Sequence, residues 1–335
     1  MPTEPSVITR HDGRAGRILL NRPKALNALN LTMIRAISHA LQVWHDDPHV
    51  HLVVIEGTGE RAFCAGGDIR ALRDNQLGGH RPAVDAFFTE EYALNHLIAT
   101  YPKPYVALID GICMGGGIGI SVHAPYRVAT EHAMFAMPET AIGFFPDIGA
   151  TFFLPRLPDS LGVYLGLTGV RMQGADAVHA GLATHFTPRA ELALLSKLLA
   201  QDGVAALARH AVPLPPFSLA RHRASIDHCF STRTVPEIVR CLESEGSEWA
   251  ARTLDLLRQV SPSALFWTLH ALHNGAELTL RAALDAEFAL TKTTMQHPDF
   301  AEGVRAMVID KERNPRWQPA RIEQVNPAAI AAMFA

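Results

Sequence analysis

Cysteine is scarce in this chain, which has four cysteines among 335 residues. None of them forms a C-x-x-C pair, and no histidine lies at zinc-ligand spacing from them. Their sequence neighbours are mostly apolar, so we expect buried thiols, a state that suits a reducing compartment. The cysteine pattern therefore predicts no bound metal.

Long apolar runs are also absent. No stretch approaches the roughly 18 apolar residues that a membrane-spanning helix needs, so we expect no membrane partner. The opening residues, MPTEPSVITRHDGRAG, lack the apolar segment of a signal peptide. They also contain Glu4 and Asp12, which argue against an organellar transit peptide. These features predict a cytoplasmic protein.

An excess of one charge is missing as well. The formal net charge is −3, which gives no general attraction to nucleic acid or to an anionic membrane. Any anionic ligand must therefore be met by a local group of basic residues. Hydrophobic residues make up 48% and charged residues 19%, an ordinary globular composition. The length predicts one large domain with a smaller one attached.

Up to about residue 190, short apolar runs alternate with helical patterns. A helix is predicted over 31–44, where Ile34, Ile37, Leu41 and Trp44 share one face, and another over 82–101. The predicted strands are β-branched or bounded by Gly, Pro or charged residues, and they cover 17–20, 51–56, 105–110, 127–130 and 183–187. Such alternation predicts an α/β core with parallel strand pairing.

Strand signals fade after about residue 188. The helices predicted beyond this point cover 191–201, 216–229, 235–245, 248–260, 261–274 and 278–295. The proline-rich VPLPPF at 212–217 accompanies the change, and there is no internal repeat. We therefore predict a core domain over 1–200 and a helical region over 201–335.

The densest glycine stretch, GICMGGGIGI at 111–120, follows an apolar strand pattern and precedes a short helical one. Backbone N–H groups at such a turn can bind a phosphate or an oxyanion. No lysine follows as in a nucleotide phosphate loop, the spacing departs from a dinucleotide fingerprint, and the last glycine of a hydrolase elbow is missing. An oxyanion hole remains, with a second N–H from RAFCAGGDIR at 61–70. Each loop alone is also typical of a simple tight turn.

Two carboxylates lie in the apolar segment AMPETAIGFFPDIG at 136–149. Glu139 and Asp147 are eight residues apart, with aromatic and aliphatic neighbours on both sides. Buried acids have raised pKa values and are typical of proton-transfer sites. A surface loop with two solvated acids is the alternative, and the segment by itself leaves both interpretations open.

Four segments resemble the crotonase superfamily, the enoyl-CoA hydratases and isomerases. They are NRPKALNAL at 21–29, AFCAGGDIR at 62–70, PYVALIDGICMGGGIGIS at 104–121 and MPE at 137–139. The resemblance implies an α/β fold of the ClpP-like type, a spiral of repeated ββα units with a helical C-terminal region that often forms homo-oligomers. It also implies an acyl-CoA substrate, of which coenzyme A is a part, and no separate cofactor.

The resemblance assigns roles to individual residues. Gly67 and Gly116 correspond to the oxyanion-hole donors of the family. The residues that correspond to its coenzyme A site are Lys24, Ala25, Ala65, Asp68, Ile69 and Arg70. Asp68 can instead be a helix N-cap, and Lys24 and Arg70 can be ordinary solvated charges.

One departure from the family is informative. Hydratases of this superfamily use two glutamates, and the first of them corresponds here to Gly119. Because adding water across a double bond needs both an acid and a base, this departure disfavours a simple hydratase. Asp147 stands where hydratases usually carry glycine.

A second group of segments narrows the resemblance within the superfamily. FFTEEYALN at 87–95, the run around PETAIGFFPDIG, and DFAEGVRAMVIDKERNPRWQPA at 299–320 are similar to its CoA thioester hydrolases. The resemblance implies hydrolysis of a short branched 3-hydroxyacyl-CoA, 3-hydroxyisobutyryl-CoA, in valine degradation. Enoyl-CoA hydratase, dienoyl-CoA isomerase and a non-catalytic acyl-CoA-binding protein are the alternatives.

The implied hydrolysis has Glu139 as the attacking group, either directly or by activating water. Asp147 is expected to orient water or the substrate and to raise the pKa of Glu139. Glu91 is expected to contact the 3-hydroxyl of the substrate, unless it lies on a solvated helix face. All three carboxylates and Gly116 are thus predicted to bind substrate.

Overall fold

The structure is a computed structural model that describes residues 4–334. Its strands are short, and most carry buried apolar side chains, as is typical of strands in parallel sheets. They are β1 (Val7–Asp12), β2 (Ala15–Leu20), β3 (Leu52–Gly57), β4 (Ala62–Cys64), β5 (Tyr105–Ile109), β6 (Ile112–Met114), β7 (Tyr126–Ala129), β8 (Met134–Ala136), β9 (Met172–Gln173) and β10 (His185–Phe186).

The strands form two sheets that the chain visits in turn. One sheet has six strands in the order β1-β2-β3-β5-β7-β10, and the other has four in the order β4-β6-β8-β9. Only β1 with β2 and β8 with β9 pair in antiparallel fashion among the named strands. Each successive pair, β3/β4, β5/β6 and β7/β8, places one strand in each sheet, and a helical segment follows. This repeated ββα turn confirms the predicted α/β spiral.

Helices fill the rest of the chain. They are α1 (Leu31–His45), α2 (Ile69–Leu77), α3 (Arg81–Ala99), α4 (Gly116–Val122), α5 (Ala150–Phe153), α6 (Leu161–Thr168), α7 (Gly174–Ala180), α8 (Arg189–Asp202), α9 (Ala205–Arg209), α10 (Arg223–Phe230), α11 (Val235–Glu245), α12 (Glu248–Gln259), α13 (Pro262–Gly275), α14 (Leu280–Thr294), α15 (Pro298–Val304) and α16 (Pro327–Ala331). A π-helical turn, Arg305–Ile309, follows α15. Within residues 4–334, no helix is both long enough and apolar enough to cross a membrane.

The chain divides into two compact units, each built from separated stretches. Unit 1 contains residues 4–68, 89–136 and 171–218, and unit 2 contains 69–88, 137–170 and 219–334. The strands all belong to unit 1, and most of the C-terminal helices belong to unit 2. The division into 1–200 and 201–335 stays a prediction.

The core of unit 1 forms where helix α1 and the central strands bury their apolar side chains. The Asn30 side chain caps α1 by accepting a hydrogen bond from the Met33 N–H, and the predicted face of α1 is buried. On β3 and β5, Val54 and Val106 pack in one cluster with Leu199 of α8. Burial of these residues follows from the apolar runs that the sequence displays.

One predicted helix begins later than expected. The pattern at 216–229 predicts a continuous helix, but α10 starts at Arg223. The N–H and hydroxyl of Ser218 both donate to the Asp176 carboxylate, which holds the chain in a non-helical conformation there. The prolines of VPLPPF favour extended backbone just before it. Local propensity is therefore overridden by a long-range contact.

Candidate active site

The two acids of the apolar segment are buried in unit 2. Glu139 begins a 3₁₀ helix, Glu139–Ile142, and is 7% exposed, while Asp147 in the following loop is 6% exposed. A solvated surface loop is thereby excluded. Burial, and second the charge of Asp147, raise the pKa of Glu139 well above its usual range. The structure thus brings together two carboxylates whose ionisation is coupled.

Aromatic packing explains this burial. Phe144 lies between the two acids in sequence, and its ring centroid is 4.7 Å from that of Phe145, 5.7 Å from that of Phe300 and 6.0 Å from that of Phe88. All four rings are buried. Aromatic side chains exclude water over a large area, so the segment that carries both acids folds against an apolar layer.

The loop after Asp147 forms an unusual turn. The Ala150 N–H donates to the Asp147 carbonyl at 2.9 Å, which closes a four-residue turn. Its two central residues, Ile148 and Gly149, have φ of +58° and +81°, as in a type I′ turn. A β-branched residue rarely adopts positive φ, so the surroundings must hold Ile148 there.

A third buried acid, Glu287 of helix α14, contacts this turn. The Gly149 N–H donates to Glu287 Oε2 at 2.7 Å, and the Thr151 N–H and Oγ donate to Oε1 at 2.9 and 2.6 Å. Burial raises the pKa of Glu287 to about 8, the bonds from Thr151 and Gly149 oppose that rise, and the charge of Asp147 adds to it. Glu287 was not predicted from the sequence as a site residue. A signal was present, because it lies three residues after Leu284 on the apolar face of its helix.

The two predicted oxyanion glycines lie close together in unit 1. Gly116 is the first residue of helix α4, and a Cβ placed on it would lie 3.3 Å from the Gly67 nitrogen. The same Cβ would lie 2.5 Å from Glu91 Oε1. The structure therefore brings Gly67, Gly116 and Glu91 close together, and their roles in the site stay predictions.

Glu91 is buried on helix α3, with 2% of its side chain exposed. Its sequence neighbour Glu90 points elsewhere and forms a bidentate ion pair with Arg35 at 2.6 and 2.7 Å. The alternative of a solvated helix face for Glu91 is therefore wrong. One helical turn further, the buried Asn95 amide has no hydrogen-bond partner among the described residues. Asn95 was not predicted from the sequence either.

Lys24 and Ala25 lie on an exposed 3₁₀ turn, Pro23–Ala25. Hydrogen bonds of the buried Asn27 side chain stabilise this turn. Asn27 is fully buried and has φ of +55°, a conformation that asparagine tolerates better than most residues. Its amide oxygen accepts from the Arg22 N–H at 2.9 Å, and its nitrogen donates to the Thr58 and Ala62 carbonyls at 3.0 Å. This buried amide sets the position of the turn.

The same segment is joined by backbone hydrogen bonds to the loop that carries Ala65 and Asp68. The Ala65 N–H donates to Leu26, and Leu29 exchanges bonds with Gly66 and Asp68, all at 2.8–3.0 Å. The Asp68 carboxylate also accepts from Arg22 at 3.1 Å, just before helix α2 begins. Lys24, Ala25, Ala65 and Asp68 are therefore held in one loop pair.

Ile69 and Arg70 belong to the first turn of α2, in unit 2. Ile69 is half-buried, and Arg70 is exposed and donates to the Val308 carbonyl at 3.3 Å. A carbonyl partner leaves the positive charge of the guanidinium intact, so Arg70 retains the charge that an anionic ligand would require.

Most of the cysteine side chains are buried. Cys64, Cys113 and Cys229 are buried and Cys241 is half-buried. Burial raises the pKa of Cys64 to about 12, so its reactive thiolate is not populated near neutral pH. Within 4–334, no group of three or more histidine, cysteine, aspartate or glutamate side chains is placed to hold a metal ion.

A comparison of the whole sequence with protein families gives a match to one family. Residues 15–334 match the family described as enoyl-CoA hydratase/isomerase. The chain belongs to this family, the crotonase superfamily that its motifs resemble.

Individual relatives are similar to this chain over nearly its whole length. The chain is 48% identical over 334 residues to the mitochondrial 3-hydroxyisobutyryl-CoA hydrolase of Xenopus tropicalis, a match that covers 96% of this chain and 86% of the relative. It is 45% identical to the protein of the same name from Homo sapiens, with 95% and 86% covered.

Two solved structures share the fold closely. A carnitinyl-CoA dehydratase from Mycobacterium thermoresistibile is 38% identical, with a TM-score of 0.94 and coverage of 98% of this chain and 96% of that one. An enoyl-CoA hydratase from Rhodobacter sphaeroides 2.4.1 is 42% identical, with a TM-score of 0.92 and coverage of 98% and 97%.

Proposed function

We propose that this chain hydrolyses 3-hydroxyisobutyryl-CoA to 3-hydroxyisobutyrate and free coenzyme A, a step of valine degradation. The observation that carries the proposal is the buried pair of Glu139 and Asp147, in a family member that has glycine at position 119. A hydratase needs a second acid there, whereas a thioester hydrolase needs an attacking group and a polarised carbonyl. The names of the relatives from Xenopus tropicalis and Homo sapiens support the same reaction.

The carbonyl of the thioester is polarised by the N–H groups of Gly67 and Gly116. Their close approach supports this role, because two donors that converge on one oxygen stabilise the negative charge that develops during attack. Glu91 lies beside the same point and is suited to accept a hydrogen bond from the 3-hydroxyl of the acyl group.

Glu139 attacks in one of two forms. In the covalent form, a carboxylate oxygen bonds to the thioester carbon, the C–S bond breaks, the coenzyme A thiolate leaves, and water then hydrolyses the mixed anhydride. In the other form, Glu139 takes a proton from water, the resulting hydroxide adds to the same carbon, the C–S bond then breaks, and the coenzyme A thiolate leaves. Asp147 orients the water or the substrate, and its negative charge raises the pKa of Glu139.

The coenzyme A portion is bound by the paired loops. Ala25, Ala65 and Asp68 present backbone and side-chain groups to the nucleotide, and Ile69 lines it. Lys24 and Arg70 supply positive charge for its phosphates. Both side chains are exposed, and the turn that carries Lys24 is supported by the hydrogen bonds of Asn27, which favours this assignment.

The remaining assignments concern cofactor, assembly and location. Coenzyme A enters as part of the substrate and no other cofactor is required, so activity should survive dialysis against a chelator. A homo-oligomer and a cytoplasmic location are proposed, although the relatives carry the word mitochondrial in their names. Light scattering of the purified protein and fractionation of cells that express the tagged chain test these two points.

The decisive experiment measures free thiol released from 3-hydroxyisobutyryl-CoA beside hydration of crotonyl-CoA. Wild type should release thiol without hydrating crotonyl-CoA, and Glu139→Gln should abolish release while free coenzyme A still binds. Glu90→Gln is a matched control, since Glu90 is a surface acid paired with Arg35. Near-normal release by Glu139→Gln would refute the assignment of the attacking group.

A second candidate function is hydration or dehydration of an enoyl-CoA. The two similar solved structures, a carnitinyl-CoA dehydratase and an enoyl-CoA hydratase, favour it, whereas Gly119 opposes it. Crotonyl-CoA hydration without thiol release would establish this candidate, with Asp147 in place of the missing glutamate. Binding of acyl-CoA with neither reaction would instead identify a non-catalytic acyl-CoA-binding protein.

A further inference from the structure

Glu287 is a buried carboxylate to which the hydrolytic steps assign no role. It is 1% exposed, and it reaches Gly149 across 138 residues of sequence. Its two oxygens accept three hydrogen bonds, one from Gly149 in the turn that follows Asp147 and two from Thr151 just after that turn. A carboxylate buried at this depth requires a specific reason, because burial disfavours its charged form.

The turn that Glu287 holds is one that its own sequence disfavours. Turns with two positive φ angles prefer asparagine or glycine at the first central position, and here that position is Ile148. Strained backbone of this kind persists only where the surroundings fix it, and such positions concentrate at functional sites. The N–H groups on either side of Ala150 are fixed by Glu287, and the Ala150 N–H itself donates to Asp147.

We propose that Glu287 is a positioning residue for Asp147. Its carboxylate holds the N–H groups of Gly149 and Thr151, and this contact keeps the strained turn in the conformation that presents the Asp147 side chain. The catalytic consequence rests on the proposed function of Asp147. A glutamine at 287 retains the shape but replaces one accepting oxygen with an NH₂ group, which leaves a turn donor without an acceptor.

Steady-state kinetics test this role. Glu287→Gln should lower kcat by roughly 10- to 100-fold, because small displacements of a reacting group are costly, while KM changes less than about threefold. Thr151→Val should lower kcat to a smaller extent, and Thr151→Ser, which keeps the hydroxyl, should restore it. A matched control exists in unit 1, where Asp176 accepts from the N–H and hydroxyl of Ser218. Asp176→Asn and Ser218→Ala should leave kcat unchanged.

Amide hydrogen exchange gives a readout that does not depend on turnover. Exchange at Gly149 and Thr151 should become faster in Glu287→Gln and remain as in wild type in Asp176→Asn. Unchanged exchange at these amides would overturn the proposal, and so would faster exchange with an unchanged kcat. If wild type releases no thiol, the proposed function fails, while the exchange rates still decide whether Glu287 holds the turn.

Discussion

Substitution of Gly116 by alanine tests the oxyanion hole with one methyl group. The added carbon would lie 3.3 Å from the Gly67 nitrogen, so it would occupy the space that a substrate oxygen needs. It would also lie 2.5 Å from Glu91 Oε1, which is the far end of a flexible side chain. No backbone atom stands closer than the Gly67 nitrogen, so small movements of Glu91 can accommodate the methyl group in the folded protein.

The expected effect is therefore large on catalysis and small on stability. A methyl group that keeps the substrate oxygen away from one oxyanion donor costs about 2.7–4 kcal/mol of transition-state stabilisation, which corresponds to a fall in kcat of roughly 10²–10³-fold. Gly117→Ala is expected to behave differently, because its Cβ would lie 2.2 Å from the Cys64 carbonyl oxygen. Backbone cannot move aside as a side-chain end can, so that variant should be destabilised.

Thiol release, thermal unfolding and inhibition by free coenzyme A complete this test. Free coenzyme A lacks the thioester carbonyl, so its inhibition constant should stay close to that of wild type in Gly116→Ala. Gly166→Ala is the control, since the nearest atoms to its Cβ would be side-chain methyl groups, those of Leu154 and Leu272 at 3.2 Å and that of Thr268 at 3.6 Å. A folded Gly116→Ala whose kcat is within threefold of wild type would refute the oxyanion hole.

Three further predictions concern Asp147, Asn27 and Glu287. Asp147→Asn removes a charge that raises the pKa of Glu139, so the acidic limb of its residual kcat/KM profile should move to lower pH. An unmoved limb would mean that another group titrates. Asn27→Ala leaves buried backbone groups unpaired and should reduce the free energy of unfolding in urea by about 2–4 kcal/mol, with a raised KM through Lys24. Glu287 has a folded pKa of about 8, above its unfolded value of about 4.3, so its contribution to stability is present at acidic pH and is lost as the pH rises through that window. Urea unfolding of Glu287→Gln should depend less steeply on pH there, by at most about 1.4 kcal/mol per pH unit, and equal slopes would contradict the raised pKa.

Much of the fold could be predicted because its signals are local. Helix α1 has a four-residue apolar stripe and an asparagine cap, and both are visible in the sequence. Strands β4, β6 and β8 were missed because each has only three residues, too few for a period to appear. Strand β1 was missed because it pairs only with β2 and carries mostly polar, solvent-facing residues.

Part of the candidate site could be predicted because it places charged side chains within an apolar segment of the sequence. Glu139 and Asp147 were found because acids are uncommon in such apolar sequence. Glu287 is likewise an acid among apolar residues. Its role, however, depends on contacts with residues more than 130 positions away, which no local pattern reveals. The turn at Ile148 could not be predicted, since isoleucine is among the residues least suited to positive φ.

Two neighbouring acids have different environments that the sequence does not distinguish. Glu90 and Glu91 are identical in type and adjacent on one helix, yet the first forms a surface ion pair and the second is buried beside Gly116. Only the rotation of helix α3 about its axis distinguishes them. That rotation is set by tertiary packing, which the motif FFTEEYALN does not encode by itself.

The alternation of strands between two sheets has a consequence for how the chain folds. Strand β3 pairs with β5 only after the whole of α2 and α3 has been made, and β7 pairs with β10 across α5, α6 and α7. Parallel pairing over such separations gives a high contact order, which slows folding. During that time the apolar edges of β3, β5 and β7 remain open to strands of other chains. Refolding yield should therefore fall steeply with protein concentration, and assistance by a chaperone should matter more for this enzyme than its native stability would indicate.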